Sequence, residues 1–282
     1  MRINRLLAIA HPIHSANKKV VNSSPQHITN LIIEPGTHPM MAALNTDWIN
    51  LASLIWFFFC WIGYSRFAKH QAKKVNCIAS VMHHHRVDWM HSVLTREIRV
   101  GDAAIISNLE KNVSFMASTS MLILAGLITV IANTDQVTHL FSTLPFSAEA
   151  DSQFIQFKFL ILCLIFIYAF FTFTWALRQF GFCGVLIGAA PNTIEKNISE
   201  EECQVFAQHC GKILDQASHS YNFGLRSFYY SMALLAWFIH PLLFILATTI
   251  VVAILYQREF RSKSLQALLQ VNMDWHQHEK KS

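Results

Sequence analysis

Charge is what this 282-residue chain has least of. Only 14% of its residues are Asp, Glu, Lys or Arg, and 53% are apolar, whereas a soluble domain carries about 25% charged residues. The deficit gathers in four long apolar runs. That excludes an ordinary soluble domain and points to a multi-pass membrane protein. Nucleotide and hydrolase fingerprints are also missing. There is no G-x-x-x-x-G-K-[ST], no G-x-G-x-x-G after a strand, no H-E-x-x-H and no G-x-S-x-G. Their absence weighs against an enzyme and implies no cofactor. The six cysteines, Cys60, Cys77, Cys163, Cys183, Cys203 and Cys210, contain no C-x-x-C spacing. They read as small hydrophobes rather than a disulfide framework. No repeat or inverted symmetry marks a transporter fold, and nothing points to nucleic acid.

Four spans can be placed on what remains. The first, Trp48 to Tyr64, is polar only at Asn50 and Ser53, carries Trp48, Trp61 and Tyr64 where interfacial aromatics belong, and is stopped by Arg66, Lys69, Lys73 and Lys74. The second runs from Phe115 to Ala132 and opens among Ser114, Ser118, Thr119 and Ser120. The third begins at Phe154 and stays apolar past Leu177 to Pro191. A continuous helix of that extent is roughly 55 Å long, against a hydrocarbon core of about 30 Å, so it either projects from the membrane or breaks near Gly181. Gly184 and Gly188 make a small-xxx-small pair in that stretch. The fourth span, Phe228 to Tyr256, is interrupted by His240-Pro241, and the proline is expected to kink it.

Between spans one and two lies Arg86 to Met121, the most organised polar stretch. Met90, Leu94, Ile98, Ile105 and Leu109 recur at helical intervals as an apolar stripe, and Asp88, Ser92, Thr95, Arg99 and Asp102 recur on another face. The reading is a surface helix that runs into the membrane at Phe115. Between spans three and four, Ser199-Glu200-Glu201-Glu202 matches a capping box and starts a helix through about His219, with Val205, Phe206, Ile213, Leu214 and Ala217 as its apolar side.

Orientation follows from the Lys/Arg asymmetry of short loops. Residues 65–114 hold eight Lys/Arg against four acids, and residues 133–153 hold none against three acids. The first segment is therefore expected in the cytosol and the second outside, with Arg178, Lys196, Lys212 and Arg226 inside again. Four spans would leave both termini outside. Arg258, Arg261 and Lys263 at the membrane edge object to that. The rival has His240-Pro241 reversing the fourth span as a re-entrant hairpin, which returns the tail to the cytosol, although each half would be only about 12–15 residues and too short to span alone. Residues 1–44, with Pro12, Pro25, Pro35 and Pro39, read as a disordered extension, or as sequence upstream of a true start at Met40 or Met41. Residues 45–263 form the membrane domain and 264–282 a polar tail.

Several residues are candidates for a site. Arg86, Trp89, Arg96, Arg99 and Asp102, with Asn222 and Arg226 just before span four, suit contact with anions or anionic lipid headgroups, or anchoring alone. Arg99 and Asp102, three apart, could pair on the helix surface. Ser118, Thr119, Ser120 and His240 are the polar groups inside the bilayer. His240 serves either a proton or solute path or the repair of a carbonyl freed near Trp237 by Pro241. Lys158 can snorkel to the membrane surface. His84, Asp88 and His91 share one helical face and are weak metal candidates, outweighed by a wet face that happens to be rich in histidine.

The pieces Arg86-x-x-Trp89-Met90, Arg96-x-x-Arg99-x-x-Asp102, Ser114-Phe115-x-Ala117-Ser118-Thr119, Gly188-Ala189-Ala190-Pro191, Asn222-x-Gly224-x-Arg226, Ala236-Trp237-Phe238-x-x-Pro241 and Arg258-Glu259-Phe260-x-Ser262 occur in that order between about residues 47 and 263. Together they resemble the domain-of-unknown-function family 599 of bacteria and plants. The resemblance implies a multi-pass membrane protein and no activity. The His83-His84-His85 run and the first 44 residues depart from its pattern. The fold expected is all-α, a membrane bundle of about four transmembrane helices with amphipathic cytoplasmic helical segments, in the bacterial inner membrane. Two functions stay open: a transporter or channel-like protein for a small solute or ion, or a non-catalytic scaffold whose cytoplasmic helices bind a protein partner or anionic lipid. Self-association into a homo-oligomer fits either.

Overall fold

Long apolar runs without internal proline leave the backbone one way to satisfy its polar groups in hydrocarbon, the α-helix. The computed structural model describes residues 39–72, 74–75, 77–133, 136, 152–192 and 198–279, and they are almost entirely helical. Residues 1–38, where the extension was expected, lie outside the described residues. Met1–Ala42 and Ala43–Ser282 are separate units, and the second holds the bundle. The helices are α1 (Pro39–Gln71), α2 (Ile78–Thr95), α3 (Val100–Ala132), α4 (Ser152–Ala189), α5 (Glu200–Leu235), α6 (Pro241–Phe260) and α7 (Lys263–Glu279), with a 3-10 turn at Ala236–Phe238 before α6. Four stretches are long and apolar enough to cross a membrane: Trp48–Gln71, Val100–Ala132, Ser152–Ala189 and Pro241–Val271. The protein is an all-α membrane bundle.

One open alternative closes and two expectations change. First, α4 is one unbroken helix of 38 residues, with no break at Gly181, and it is packed on both sides of that point. Second, the amphipathic stretch is not continuous. α2 ends at Thr95, residues 96–99 leave the helix, and α3 starts afresh at Val100. The break resets the helical phase. Met90 and Leu94 are buried as expected, but Ile98 and Ile105 are exposed, and Ile106, Val113 and Ala117 take the inner face. Third, the helix begun at Ser199 does not stop near His219 but runs to Leu235. Its inner side is Cys203, Ala207, Cys210, Leu214 and Ala217, with Val205 exposed.

Pro241 is not a kink inside a span. It is the first residue of α6, a position that needs no backbone N–H, and His240 caps it with Nδ1 accepting from the Leu242 N–H at 3.2 Å. The chain reverses here. Arg258 donates to the Tyr229 hydroxyl at 2.9 Å, so the C-terminal end of α6 returns beside the last turns of α5. Along α1, Tyr230 reaches the Cys60 carbonyl and Trp237 donates to the Asn50 Oδ1 at 2.8 Å. Phe57 meets Phe244, and Phe67 meets Tyr256 and Phe260. α1 thus runs antiparallel to the end of α5 and parallel to α6. The chain turns back at His240, so the continuous fourth span does not form, yet α6 alone is long and apolar enough to cross, unlike the short half of a re-entrant hairpin. Arg258, Arg261 and Lys263 come to the same end as Arg66 and Lys69, which removes the charge objection raised by the sequence. α7, in the segment expected to be a polar tail, is helical and packs on α2 there.

Two cores result. One is aromatic, centred on Phe57, Phe166, Tyr230, Trp237 and Phe244 among α1, α4, the end of α5 and α6. The other lies toward the basic end, where α2, α3, α4 and α5 pack through Val93, Leu94, Val113, Ala169, Ala176, Ala207 and Ala217.

Candidate functional site

The four-residue break between α2 and α3 positions the first group of candidates. Asp102 sits in the first turn of α3, where the helix dipole favours a carboxylate, and is only 2% exposed. Its Oδ1 accepts from Trp89 Nε1 at 2.7 Å and from Arg96 Nη1. Arg96 and Trp89 are therefore its partners. Arg99 is not, despite the three-residue spacing, because both lie at a helix start rather than within one helix. Arg99 turns the other way. Its Nε donates to the Val93 carbonyl at 3.1 Å, and its Nη atoms donate to the carbonyls of Ile187, Ala190 and Pro191. Ile187 and the residues after it end α4, whose last carbonyls have no partner within the helix. A guanidinium with five donors satisfies several at once and places a cation at the negative end of the helix dipole. Arg96, Arg99 and Asp102 are thus brought together as a brace that ties α2, α3 and the end of α4.

Arg86 leaves that cluster. It pairs with Asp215 of α5 at 2.6 Å, and His83 Nδ1 bonds the other oxygen of the same carboxylate. His91 bonds Glu200 at 3.0 Å. Among the described residues no three His, Cys, Asp or Glu side chains are gathered closely enough to hold a metal, and His91 of the candidate trio His84, Asp88 and His91 is bonded to Glu200 instead. The capping box forms as expected. Ser199 Oγ accepts from the Glu202 N–H at 3.3 Å, and a Glu202 carboxylate oxygen accepts from the Ser199 N–H at 3.0 Å. Those bonds from Ser199, the backbone N–H first and the hydroxyl second, hold the Glu202 carboxyl below the ordinary carboxylate range. Burial pushes the Cys210 thiol up to about 11, so it is an inert packing group.

The polar candidates inside the bilayer are held locally. Thr119 donates to the Phe115 carbonyl and Ser120 to the Met116 carbonyl, both at 2.8 Å, while Ser118 is exposed. His240 accepts from an N–H rather than donating to a carbonyl. The carbonyl of Trp237 does take an outside donor, but it is Lys158 Nζ at 2.8 Å. Lys158 does not snorkel. It is 5% exposed, and its ammonium lies 4.8 Å from the Phe154 ring centre and 5.2 Å from that of Trp237.

Asn222 and Arg226 meet none of Arg86, Arg96 or Arg99 in a hydrogen bond or ion pair among the described residues. They face a cleft of about 510 Å³ at the basic end, walled by α1, α4 and α5, where Lys69, Gln179, Lys212, Asp215 and Glu259 also open. The Arg226 guanidinium carbon sits over the rings of Tyr64 and Phe223, 5.2 and 5.5 Å from their centres. Ser220 donates to Gln179 Oε1 at 2.9 Å across the cleft. Of the residues expected at an anion site, only Asn222 and Arg226 belong here. Lys212 and Asp215 lie on the same face of α5 as Asn222 and Arg226, joined through His219 at three- and four-residue intervals, a stripe the sequence reading passed over; Lys69 and Gln179 come from distant stretches.

No curated protein matches the chain, and no solved structure does. One family does, described as "Protein of unknown function, DUF599", and its match covers residues 52–264. That range runs from the first turns of the α1 span through the brace, the cleft and the hairpin to the start of α7, and the chain belongs to this family.

Proposed function

We propose that the protein is a non-catalytic scaffold of a bacterial plasma membrane, whose basic, cytoplasmic end offers a preformed binding cleft. The observation that carries this is the pairing of a ring-filled membrane interior with an open polar cleft. Phe57, Trp61, Tyr230, Trp237 and Phe244 pack ring against ring along the bundle. Ser120 and His240 spend their hydrogen bonds within their own turns. Polar groups instead converge outside the hydrocarbon, at Lys69, Lys212, Asp215, Asn222 and Arg226. Binding sites of this size, about 510 Å³, with a few convergent polar groups are the usual form of a ligand pocket.

A transporter reading has one point in its favour, the buried Lys158, since ionisable groups in hydrocarbon are rare and functional by default. Its hydrogen bond to Trp237 and its three surrounding rings suit an anchor for the hairpin turn better. The test is reconstitution into sealed vesicles. The scaffold reading predicts no passage of protons, potassium, chloride or small organic anions above protein-free vesicles; flux abolished in Lys158→Met would replace it with the transporter. Orientation has its own test. Reporters fused after Lys74 and at Ser282 should both report the cytosol, and one after Gln136 the outside; a split between the first two would overturn the hairpin topology.

A further inference from the structure

Two recesses meet at the basic end. The first is an apolar groove of about 560 Å³ between α1 and α4, lined by Phe58, Trp61, Ile62, Leu164 and Tyr168 and closed at one end by Arg66 and Lys69. The second is the polar cleft. Ser65, Lys69 and Phe223 line both, so one surface runs from lipid-facing hydrocarbon to the cations without interruption.

The charge at that junction is not balanced. Asp215 is already bonded by Arg86 and His83, and a Glu259 carboxylate oxygen accepts from the Ala79 N–H at 3.4 Å. Lys69, Lys212 and Arg226 take part in none of the ion pairs among the described residues, which are His83–Asp215, Arg86–Asp215, His91–Glu200 and Arg96–Asp102. Three cations therefore face one carboxylate that no cation engages. The rings of Tyr64 and Phe223 hold the Arg226 guanidinium at the cleft, and a guanidinium can engage an oxyanion through two N–H groups at once.

We propose that groove and cleft together hold one anionic phospholipid, with an acyl chain along Trp61 and Leu164 and the phosphate against Lys69, Lys212 and Arg226. This names the ligand of the scaffold's cleft and rests on that reading. A molecule filling both recesses must be apolar for the length of the groove and negative at its end. A choline headgroup would bring a fourth cation among three.

The full chain in detergent micelles is titrated with phosphatidylglycerol or with phosphatidylcholine of the same acyl chains, and bound lipids are counted by native mass spectrometry. One phosphatidylglycerol per chain is expected at concentrations about tenfold below those at which phosphatidylcholine binds. Arg226→Gln, Lys69→Gln and Lys212→Gln should each weaken binding about fivefold, the ratio set by a Lys or Arg near an anionic surface. Should Arg226→Gln fail to fold, the exposed Lys212→Gln still decides. Leu164→Trp, which fills the groove from its lipid side, should weaken phosphatidylglycerol binding too. Equal binding of the two lipids, or an unchanged affinity in Lys212→Gln, overturns the proposal. So does competition by glycerol phosphate at the concentration of the lipid, which would make the ligand a soluble anion. Flux in vesicles together with selective lipid binding would overturn the scaffold alone; no flux with no lipid selectivity would overturn the lipid site alone.

Discussion

The two halves of the bundle solve the same packing problem with different chemistry. In the membrane half, helices are joined mainly by rings, Phe57, Tyr230 and Phe244 interlocking across α1, α5 and α6. The hydroxyls of Thr119, Ser120 and Thr249 each bond a carbonyl four residues back, and the polar ties between helices include Trp237 to Asn50, Tyr230 to the Cys60 carbonyl and Lys158 to the Trp237 carbonyl. In the projecting half the inner faces carry alanine, glycine and cysteine, and the helices are tied by charge. Arg99 reaches from the start of α3 to the end of α4, and Arg86 reaches from α2 to α5. The reason is the surroundings. In hydrocarbon a mobile long-range polar bond has no water to fall back on, so short-range bonds are the safe ones. Outside it the helix ends themselves emerge, and their orphan carbonyls need a donor.

Four experiments break or sharpen that contrast, with unfolding followed by loss of helical signal in micelles. The largest effect is expected at Arg99. Arg99→Ala leaves the Ile187, Ala190 and Pro191 carbonyls without their donor and removes a cation from a helix C-terminus, which should cost about 3 kcal/mol. A loss under about 1 kcal/mol would mean that the brace is decoration and that the small-residue core holds the half alone.

The second substitution probes that core. A Cβ at Gly224 would run into the ring of Phe173, which is fully buried and cannot yield. Gly224→Ala should cost about 2 kcal/mol by overpacking. Gly211→Ala is milder, since its nearest contact is the end of Val87 at 2.8 Å. If Gly224→Ala were neutral, α4 and α5 would not be in close contact.

In the membrane half, Trp237→Phe keeps a ring against Phe244 and removes the bond to Asn50. The expected loss is about 1 kcal/mol, one hydrogen bond. A cost equal to that of Arg99→Ala would erase the contrast, because the membrane half would then depend on a long-range polar tie as well.

The smallest effect is a pH dependence at the start of α5. The Glu202 carboxyl is held below its ordinary range by Ser199, so its contribution is present above the unfolded carboxylate pKa and is lost as pH falls through the lowered folded value. Amide exchange in the first turn of α5 should speed up only on acidification through that window. Glu202→Gln should make it insensitive to pH there, and an unchanged pH profile in that variant would remove the capping box as the cause.

Much of the architecture was legible because hydropathy and helix length are local properties. The spans, the excess length of α4 and the Ser199–Glu202 cap could all be read from adjacent residues. Pro241 was ambiguous on the same grounds. A proline after His is equally a kink inside a helix and the first residue of a new one, and only the partners of α5 and α6, such as Tyr229 with Arg258, distinguish them. Arg258, Arg261 and Lys263 carried the tertiary answer in the sequence as an objection to the four-span topology. The Arg99–Asp102 pairing failed for a related reason: i, i+3 spacing means a shared face only inside one helix, and Arg99 sits just before the first residue of α3. Lys158 was misplaced because its partner, the Trp237 carbonyl, is 79 positions away. In the cleft, Lys212 and Asp215 were legible as the continuation of the Asn222–Arg226 face along α5, whereas Lys69 and Gln179 join them only after α1, α4 and α5 have packed.

The unbroken α4 has a mechanical consequence. At 38 residues it is a rod of roughly 57 Å, anchored among rings at one end and gripped by Arg99 at the other. Bilayers of different thickness change the tilt of such helices. A rotation of about 5° about the anchored end would carry the Pro191 end sideways by about 5 Å, by the length of the rod alone. A rod that pivots in this way would convert the thickness of a membrane into the position of its far end. Spin labels at exposed sites on the Pro191 end and on α1 should therefore change separation between short-chain and long-chain lipid vesicles, and a constant separation would show that the rod is not free to pivot.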